Sequence, residues 1–193
     1  MTEQELILGL RNGDETAFKF LVDNYQDRVF NTAIGVVQNA EDAEDVAQEV
    51  FIQVFRSINS FKGGSKLSTW IYRITTSRAL DLLRSRKSKK RSGFIQRLFG
   101  EGNEPIHELP DFHHPGIALD QKENAAQLFK AIDQLPEKQK IAFTLHKLED
   151  LNYQEIGDVM KTSVAAVESL MHRAKLNLRK ILEGQDQAGK ERE

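Results

Sequence analysis

Apolar residues recur along most of this chain at the three- and four-residue spacing of one helical face, and almost nothing alternates with the two-residue period of a strand. The first two predicted helices cover residues 2–12 and 14–37, with Leu6, Ile7 and Leu10, then Phe18, Leu21, Val22, Tyr25, Val29, Ala33 and Val36 on their apolar faces. Asn12-Gly13 is the turn signal between them. A third helix is predicted in NAEDAEDVAQEVFIQVFRSI, where Ala43, Val46, Ala47, Val50, Phe51, Val54, Phe55 and Ile58 form one buried stripe. Asn39 is placed to cap it, with Glu41 and Asp42 in the first turn where the helix dipole favours negative charge. After FKGGSK, Ser68 can cap a fourth helix whose apolar positions include Leu67, Trp70, Ile71, Ile74, Leu82 and Leu83. These four helices can close an N-terminal domain over residues 1–86.

Periodicity then fails. Residues 87–116 contain Ser88, Ser92, Gly93, Gly100, Gly102, Asn103, Pro105, Pro110, Pro115 and Gly116, which marks a linker with FIQRLF as a short helical turn inside it. Residues 117–184 read as a second helical domain. One helix covers about 118–134, and Pro136 opens the next in its first turn, which runs to Leu148. YQEIGDVM is a short helix, Lys161-Thr162-Ser163 a turn, and VAAVESLMHRAKLNLRKIL a longer helix capped by Ser163. Ile156, Val159 and Met160 then face Val164, Val167, Met171, Ala174 and Leu178. This pattern fits a helix-turn-helix and also a plain helical hairpin. The polar tail, residues 185–193, reads as disordered. The expected fold is all-α, with two small helical domains joined by a flexible linker.

Charge sharpens this picture. The 193-residue chain is near neutral, yet residues 1–50 hold eleven acids against three bases, a net of −8. From Arg56 to Arg97 there are twelve Lys or Arg against the single acid Asp81, a net of +11. Such segregation predicts two kinds of partner. On the third helix, Asp42, Asp45, Gln48, Glu49 and Gln53 share the polar face, which serves either as a solvated surface or as a docking site. On the fourth, Trp70 and Tyr72 interleave with arginines, the combination that a nucleic-acid backbone and unstacked bases require.

The absence of cysteine excludes disulfides and Cys-ligated metals and fits a reducing compartment. His107, His113 and His114 lack helical metal-ligand spacing, so no metal or cofactor is expected. No Ser-His-Asp cluster or phosphate-binding glycine loop points to an enzyme. The acidic start lacks the features of a signal peptide, and no apolar run approaches the roughly 18 residues of a membrane span, so the expected location is cytoplasmic.

Three blocks, DAEDVAQEVF with VFRSINSF, KLSTWIYRIT with Ala79, Leu80, Asp81 and Leu83, and LPEKQKIAFTLHKLEDLNYQEIGDVMKTSVAAVESLMHRAK, together resemble the extracytoplasmic-function sigma factors of bacterial RNA polymerase. The resemblance spans roughly residues 5–182. It implies a transcription initiation factor with no enzymatic activity and no small-molecule substrate. Asp42, Asp45, Gln48, Glu49 and Gln53 would grip a coiled coil on the largest polymerase subunit. The loop Phe61 to Lys66, with Lys62 and Ser65, would hold a flipped base. Ser68, Thr69, Trp70, Tyr72, Arg73 and Ser77 would line the single strand of the minus-ten element, and the basic run with Arg84, Arg86 and Lys87 would meet phosphates. The second domain would sit on the flap of the other large subunit. Its last helix, with Ser163, Ala165, Ala166, Glu168, Ser169, His172, Arg173 and Lys175, would read the duplex minus-thirty-five element. An anti-sigma factor, which can be membrane-anchored, is a further implied partner.

The chain departs from the family where Ser77 replaces a common Asn and where Ala166, Glu168 and Leu170 replace Thr, Lys and Arg. Two rival readings are a ligand-sensing helix-turn-helix repressor or activator and a helical-bundle metal enzyme using Asp42, Asp45 and Glu49. The first would bind duplex DNA unaided. The second would need a Glu-x-x-His pair that the chain lacks.

Overall fold

The computed structural model describes residues 1–98 and 127–190, all of whose regular structure is helical. Helix α1 (Glu3–Arg11) is capped by Thr2, whose hydroxyl accepts from the Glu5 amide while the Glu5 carboxylate accepts from the Thr2 amide. Gly13 takes the left-handed turn conformation and Asp14 caps α2 (Glu15–Val37). Asn39 caps α3 (Ala40–Ser57) as predicted, its side chain accepting from the Asp42 amide. A short 3-10 turn, Ile58–Ser60, leads into the loop before α4 (Leu67–Leu98).

Helix α2 is the hub of the N-terminal domain, packing against α1, α3 and α4. Its core joins Leu21, Val29, Ala33 and Val36 to Val46, Val50 and Val54 of α3 and Leu67 and Ile71 of α4, all at most 3% exposed. Each of the Leu, Ile and Val side chains among them contributes about 1.5–3 kcal/mol by leaving water. Thr75 and Thr76 are buried inside α4, with hydroxyls that donate to the Ile71 and Tyr72 carbonyls one turn back.

The second domain begins among the described residues with helix α5 at 127–133 and continues through α6 (Glu137–Lys147), α7 (Tyr153–Met160) and α8 (Val164–Lys190). Ile141 and Leu145 of α6, Ile156 and Val159 of α7, and Val167, Met171, Ala174 and Leu178 of α8 form its core. Lys140 is buried too, with its ammonium 2.6 Å from Asp133. The α7–α8 turn is tight: Lys161 is left-handed, and a Cβ on Gly157 would lie 2.9 Å from the Thr162 carbonyl, so that position accepts only glycine without a backbone shift.

Four boundaries differ from the sequence expectation. Helix α4 starts at Leu67, so Ser68 lies inside the first turn instead of capping it. Pro136 stands just outside α6, at its N-cap. Helix α4 continues past Arg86 to Leu98, and α8 past Gly184 to Lys190, where a linker and a disordered tail were expected. Both extensions are rich in Lys, Arg, Gln or Ala, which propagate a helix already begun even across a glycine costing about 1 kcal/mol. The start of the first helix of the second domain, most of the linker and its three histidines lie outside the described residues.

Candidate nucleic-acid interface

On α3, Asp45, Gln48 and Glu49 lie exposed on one face. The same stripe continues into Ile52, 48% exposed, and Phe55, 39% exposed, whose ring meets Phe18 edge-on at 5.3 Å. The sequence pattern placed Phe55 in the buried stripe. It lies instead at the stripe's edge, so an apolar step extends the acidic face, and i, i+3, i+4 spacing alone does not distinguish the two sides of that edge. Asp42 differs from its neighbours. It is 5% exposed and forms an ion pair with Arg86 of α4, so it is not on the open polar face. Burial pushes its carboxyl up, and the Arg86 guanidinium opposes that shift. Gln53 is half-buried and accepts from the Arg78 guanidinium.

The loop before α4 is anchored by Phe61, 4% exposed, whose ring lies 5.2 Å from that of Trp70 and whose carbonyl accepts from Arg11 at 2.8 Å. Phe61, Lys62 and Gly63 line one side of an open cavity of about 370 Å³, with Gln4, Ile7, Leu8 and Arg11 on the other. Lys62 and Lys66 are exposed, Ser65, Ser68 and Trp70 half-buried, Thr69 buried and Ser77 exposed.

The start of α4 also meets the second domain. The Tyr72 hydroxyl donates to the Glu149 carboxylate at 2.8 Å, and Arg73 donates through two nitrogens, at 2.6 and 3.1 Å, to the Asp158 carbonyl of α7. The Lys66 ammonium lies 3.3 Å from Glu155. Further along, Glu137 of α6 faces Arg84 at 3.4 Å and Lys87 at 3.9 Å. Burial, then the hydrogen bond to Glu149, pushes the Tyr72 hydroxyl well above its ordinary range, and burial likewise raises the Glu149 carboxyl.

On α8 the Ser163 hydroxyl accepts from the Ala166 amide at 3.2 Å, the predicted cap. Ser163, Ala165, Glu168, Ser169, His172, Arg173 and Lys175 are exposed and Ala166 is half-buried. Arg173 donates to the Ser169 hydroxyl at 2.8 Å, which holds its guanidinium along the helix. Among the described residues no group of three or more His, Cys, Asp or Glu is placed to hold a metal ion, and no helix is long and apolar enough to cross a membrane.

The geometry therefore presents an acidic-apolar stripe, an aromatic-basic helix start and a capped polar helix in a helix-turn-helix. Comparisons with known proteins match each part. The family model for Sigma-70 region 2 covers residues 21–89, and that for Sigma-70, region 4 covers residues 125–178. The chain is 34% identical over 181 residues to the RNA polymerase sigma-H factor of Pseudomonas aeruginosa, covering 94% of both chains. It is 33% identical over 175 residues to the ECF RNA polymerase sigma-E factor of Escherichia coli K12, covering 91% of both. Two solved structures share the fold. CnrH in complex with the cytosolic domain of CnrY has a TM-score of 0.67 at 18% identity, covering 94% of this chain and 97% of that one. RpoE in complex with the anti-sigma factor NepR from Bartonella quintana has a TM-score of 0.62 at 21% identity, covering 86% and 96%.

Proposed function

This chain belongs to the extracytoplasmic-function sigma factors of the sigma-70 family and is a promoter-specific transcription initiation factor, and from that premise we propose how its residues divide the work. Asp45, Gln48, Glu49, Ile52 and Phe55 of α3 dock on a basic, partly apolar surface of the largest subunit of core RNA polymerase. Asp42 and Gln53 act from behind, tying α3 to α4 through Arg86 and Arg78. Phe61 to Lys66 and the start of α4, with Ser68, Thr69, Trp70, Tyr72, Arg73 and Ser77, take the unpaired strand of the minus-ten element. Stacking on aromatic faces offsets the few kcal/mol that unpairing costs, so no nucleotide hydrolysis is needed from this chain. Arg84 and Lys87 meet phosphates. Residues 1–86 and 117–184 act as the two functional domains, the second on the flap of the other large subunit with α8 in the major groove of the minus-thirty-five element.

The observation that carries this reading is the exposed stripe on α3, where carboxylates lead directly into two large apolar side chains that the domain leaves in water. An anti-sigma factor, the kind of partner that holds RpoE of Bartonella quintana, is a further expected partner, either soluble or anchored to a membrane. The test is capture of core polymerase by the chain followed by run-off transcription. The reading requires both, and a chain that instead binds promoter duplex tightly by itself would be an ordinary helix-turn-helix regulator.

A further inference from the structure

We propose that Arg11, in the last turn of α1, is a positioning residue for strand capture: it anchors the head of the loop Phe61 to Lys66, and with it the Phe61–Trp70 ring pair against which a base would stack. Helix α1, which has no other part in the proposed function, thereby acts as a strut. The proposal rests on the assignment of that loop and the start of α4 to the unpaired strand.

The loop is loose in its middle and held at its ends. Gly63 is left-handed, a Cβ on Gly63 or Gly64 would meet nothing within 4 Å, and Lys62 to Ser65 make no hydrogen bond among the described residues. A segment of this kind samples many conformations unless its ends are fixed. Leu67, buried in the core, fixes the tail. The head is Phe61, whose amide donates to the Ile58 carbonyl at 3.0 Å, a bond local to the 3-10 turn. The polar tie to a distant element comes from Arg11, whose guanidinium donates to the Phe61 carbonyl at 2.8 Å across 50 positions of sequence. Arg11 pairs with no carboxylate among the described residues, so its charged donor, which makes the stronger kind of hydrogen bond, goes to this carbonyl. The strut behind it is firmly seated. Thr2 and Glu5 cap α1, Leu6 and Leu10 are buried, and α1 closes on α2 so tightly that a Cβ on Gly9 would lie 2.6 Å from the Ala17 Cβ. With its carbonyl held, Phe61 keeps its ring in the core, tilted 40° to the Trp70 ring, and the half-buried indole meets solvent at a fixed angle. Arg11 also lines the open cavity beside the loop, so the rival role is a direct contact to a phosphate.

Trp70 is the chain's one tryptophan, so its emission in the free protein reports the seat of Phe61. Arg11→Met keeps the apolar stem and removes the donor, whereas Arg11→Lys keeps a charged donor. We expect Arg11→Met to shift the emission to the red and to raise its quenching by acrylamide, with the circular dichroism spectrum unchanged. The binding probe is a labelled single strand of the non-template minus-ten sequence that the parent holoenzyme selects from random promoters. Holoenzyme made with Arg11→Met should bind it about tenfold more weakly, the equivalent of one charge-assisted hydrogen bond, with an unchanged slope of log affinity against log salt. Arg11→Lys should recover most of the loss in both readouts. Unchanged emission or unchanged strand affinity would overturn the positioning role, and a slope lowered by about 0.7 would make Arg11 a phosphate ligand instead. Trp70→Ala in the holoenzyme separates this failure from that of the strand assignment. If Trp70→Ala leaves strand binding intact, the assignment of the loop and the start of α4 falls. If it weakens binding and Arg11→Met does not, the role of Arg11 alone falls.

Discussion

The two helices proposed to face DNA begin alike, each after a short turn and each with Ser in or beside its first turn, yet they end up in opposite environments. The face of α8 meets water along Ala165, Glu168, Ser169, His172, Arg173 and Lys175, whereas the start of α4 buries Thr69 and Tyr72 and half-buries Trp70 and Arg73. The contrast suits the targets proposed for the two helices. A duplex presents hydrogen-bonding base edges, so its reader needs polar tips that are content in water. A single strand presents base faces, so its reader needs aromatic surface, which is costly to leave in water, and Trp70 rests its ring against Phe61 of its own domain. The two helices differ in how ready they are, and α3 belongs with α8 as a surface open in advance.

The largest expected effect strikes that open surface. Asp45→Arg or Glu49→Arg should abolish binding to core polymerase while leaving the helical spectrum and melting temperature unchanged, because juxtaposed like charges cost several kcal/mol. Pull-down and circular dichroism check it, and unchanged polymerase affinity would remove the acidic stripe from the reading. One turn earlier on α3 the same chemistry should fail in the other direction. Asp42→Ala should lower domain stability by at most about 1 kcal/mol in urea titration, because the partner it strands, Arg86, is 45% exposed and regains water. If Asp42→Ala is neutral for stability but impairs polymerase binding, Asp42 belongs to the docking face after all.

The split between Asp42 and Asp45 marks how far the sequence could be read. Helical periodicity identified both domains, the caps Asn39 and Ser163, the Asn12-Gly13 turn and the helix-turn-helix, because each depends on residues within a few positions of one another. Asp42, Asp45 and Glu49 look alike in such a pattern. Only the arrival of Arg86, 44 positions away, separates the buried carboxylate from the exposed ones. Tyr72 with Glu149 and Thr144 with Gly35 were equally invisible, being pairings between domains. The helical extensions to Leu98 and Lys190 were missed for a different reason: glycine and serine lower helix propensity by too little to end a helix that the preceding turns sustain. The exposed Phe55 reflects the width of the apolar stripe, which sequence spacing fixes only to within one position on either side.

A smaller effect tests α8 in its open setting. Glu168 makes no ion pair among the described residues, so it is free to accept from a cytosine N4 in the major groove. Glu168→Ala in the holoenzyme should relax preference at one base pair of the minus-thirty-five element by about 1–3 kcal/mol, read by selection from a randomised upstream sequence. A flat profile would move recognition one turn along the helix, to His172, Arg173 and Lys175.

The smallest effect separates two neighbours on α4 that the sequence cannot rank. Arg86 and Lys87 stand side by side in the basic run, but Arg86 is tied to Asp42 of its own domain, while Lys87 faces Glu137 of the other. The Lys87 pair is long and exposed, so a phosphate can displace it, whereas Arg86 is held by a buried carboxylate. In the holoenzyme, therefore, Lys87→Ala should remove one phosphate contact, lowering the slope of log affinity against log salt by about one and weakening all promoters alike. Arg86→Ala should change that slope by much less and lower domain stability instead. Promoter binding by the two variant holoenzymes between low and physiological salt measures both slopes. Equal slopes would mean that the Asp42 pair opens on DNA and that Arg86 is a phosphate ligand. A slope change at Arg86 alone would reverse the order, making Arg86 the phosphate ligand and leaving Lys87 to its pair with Glu137.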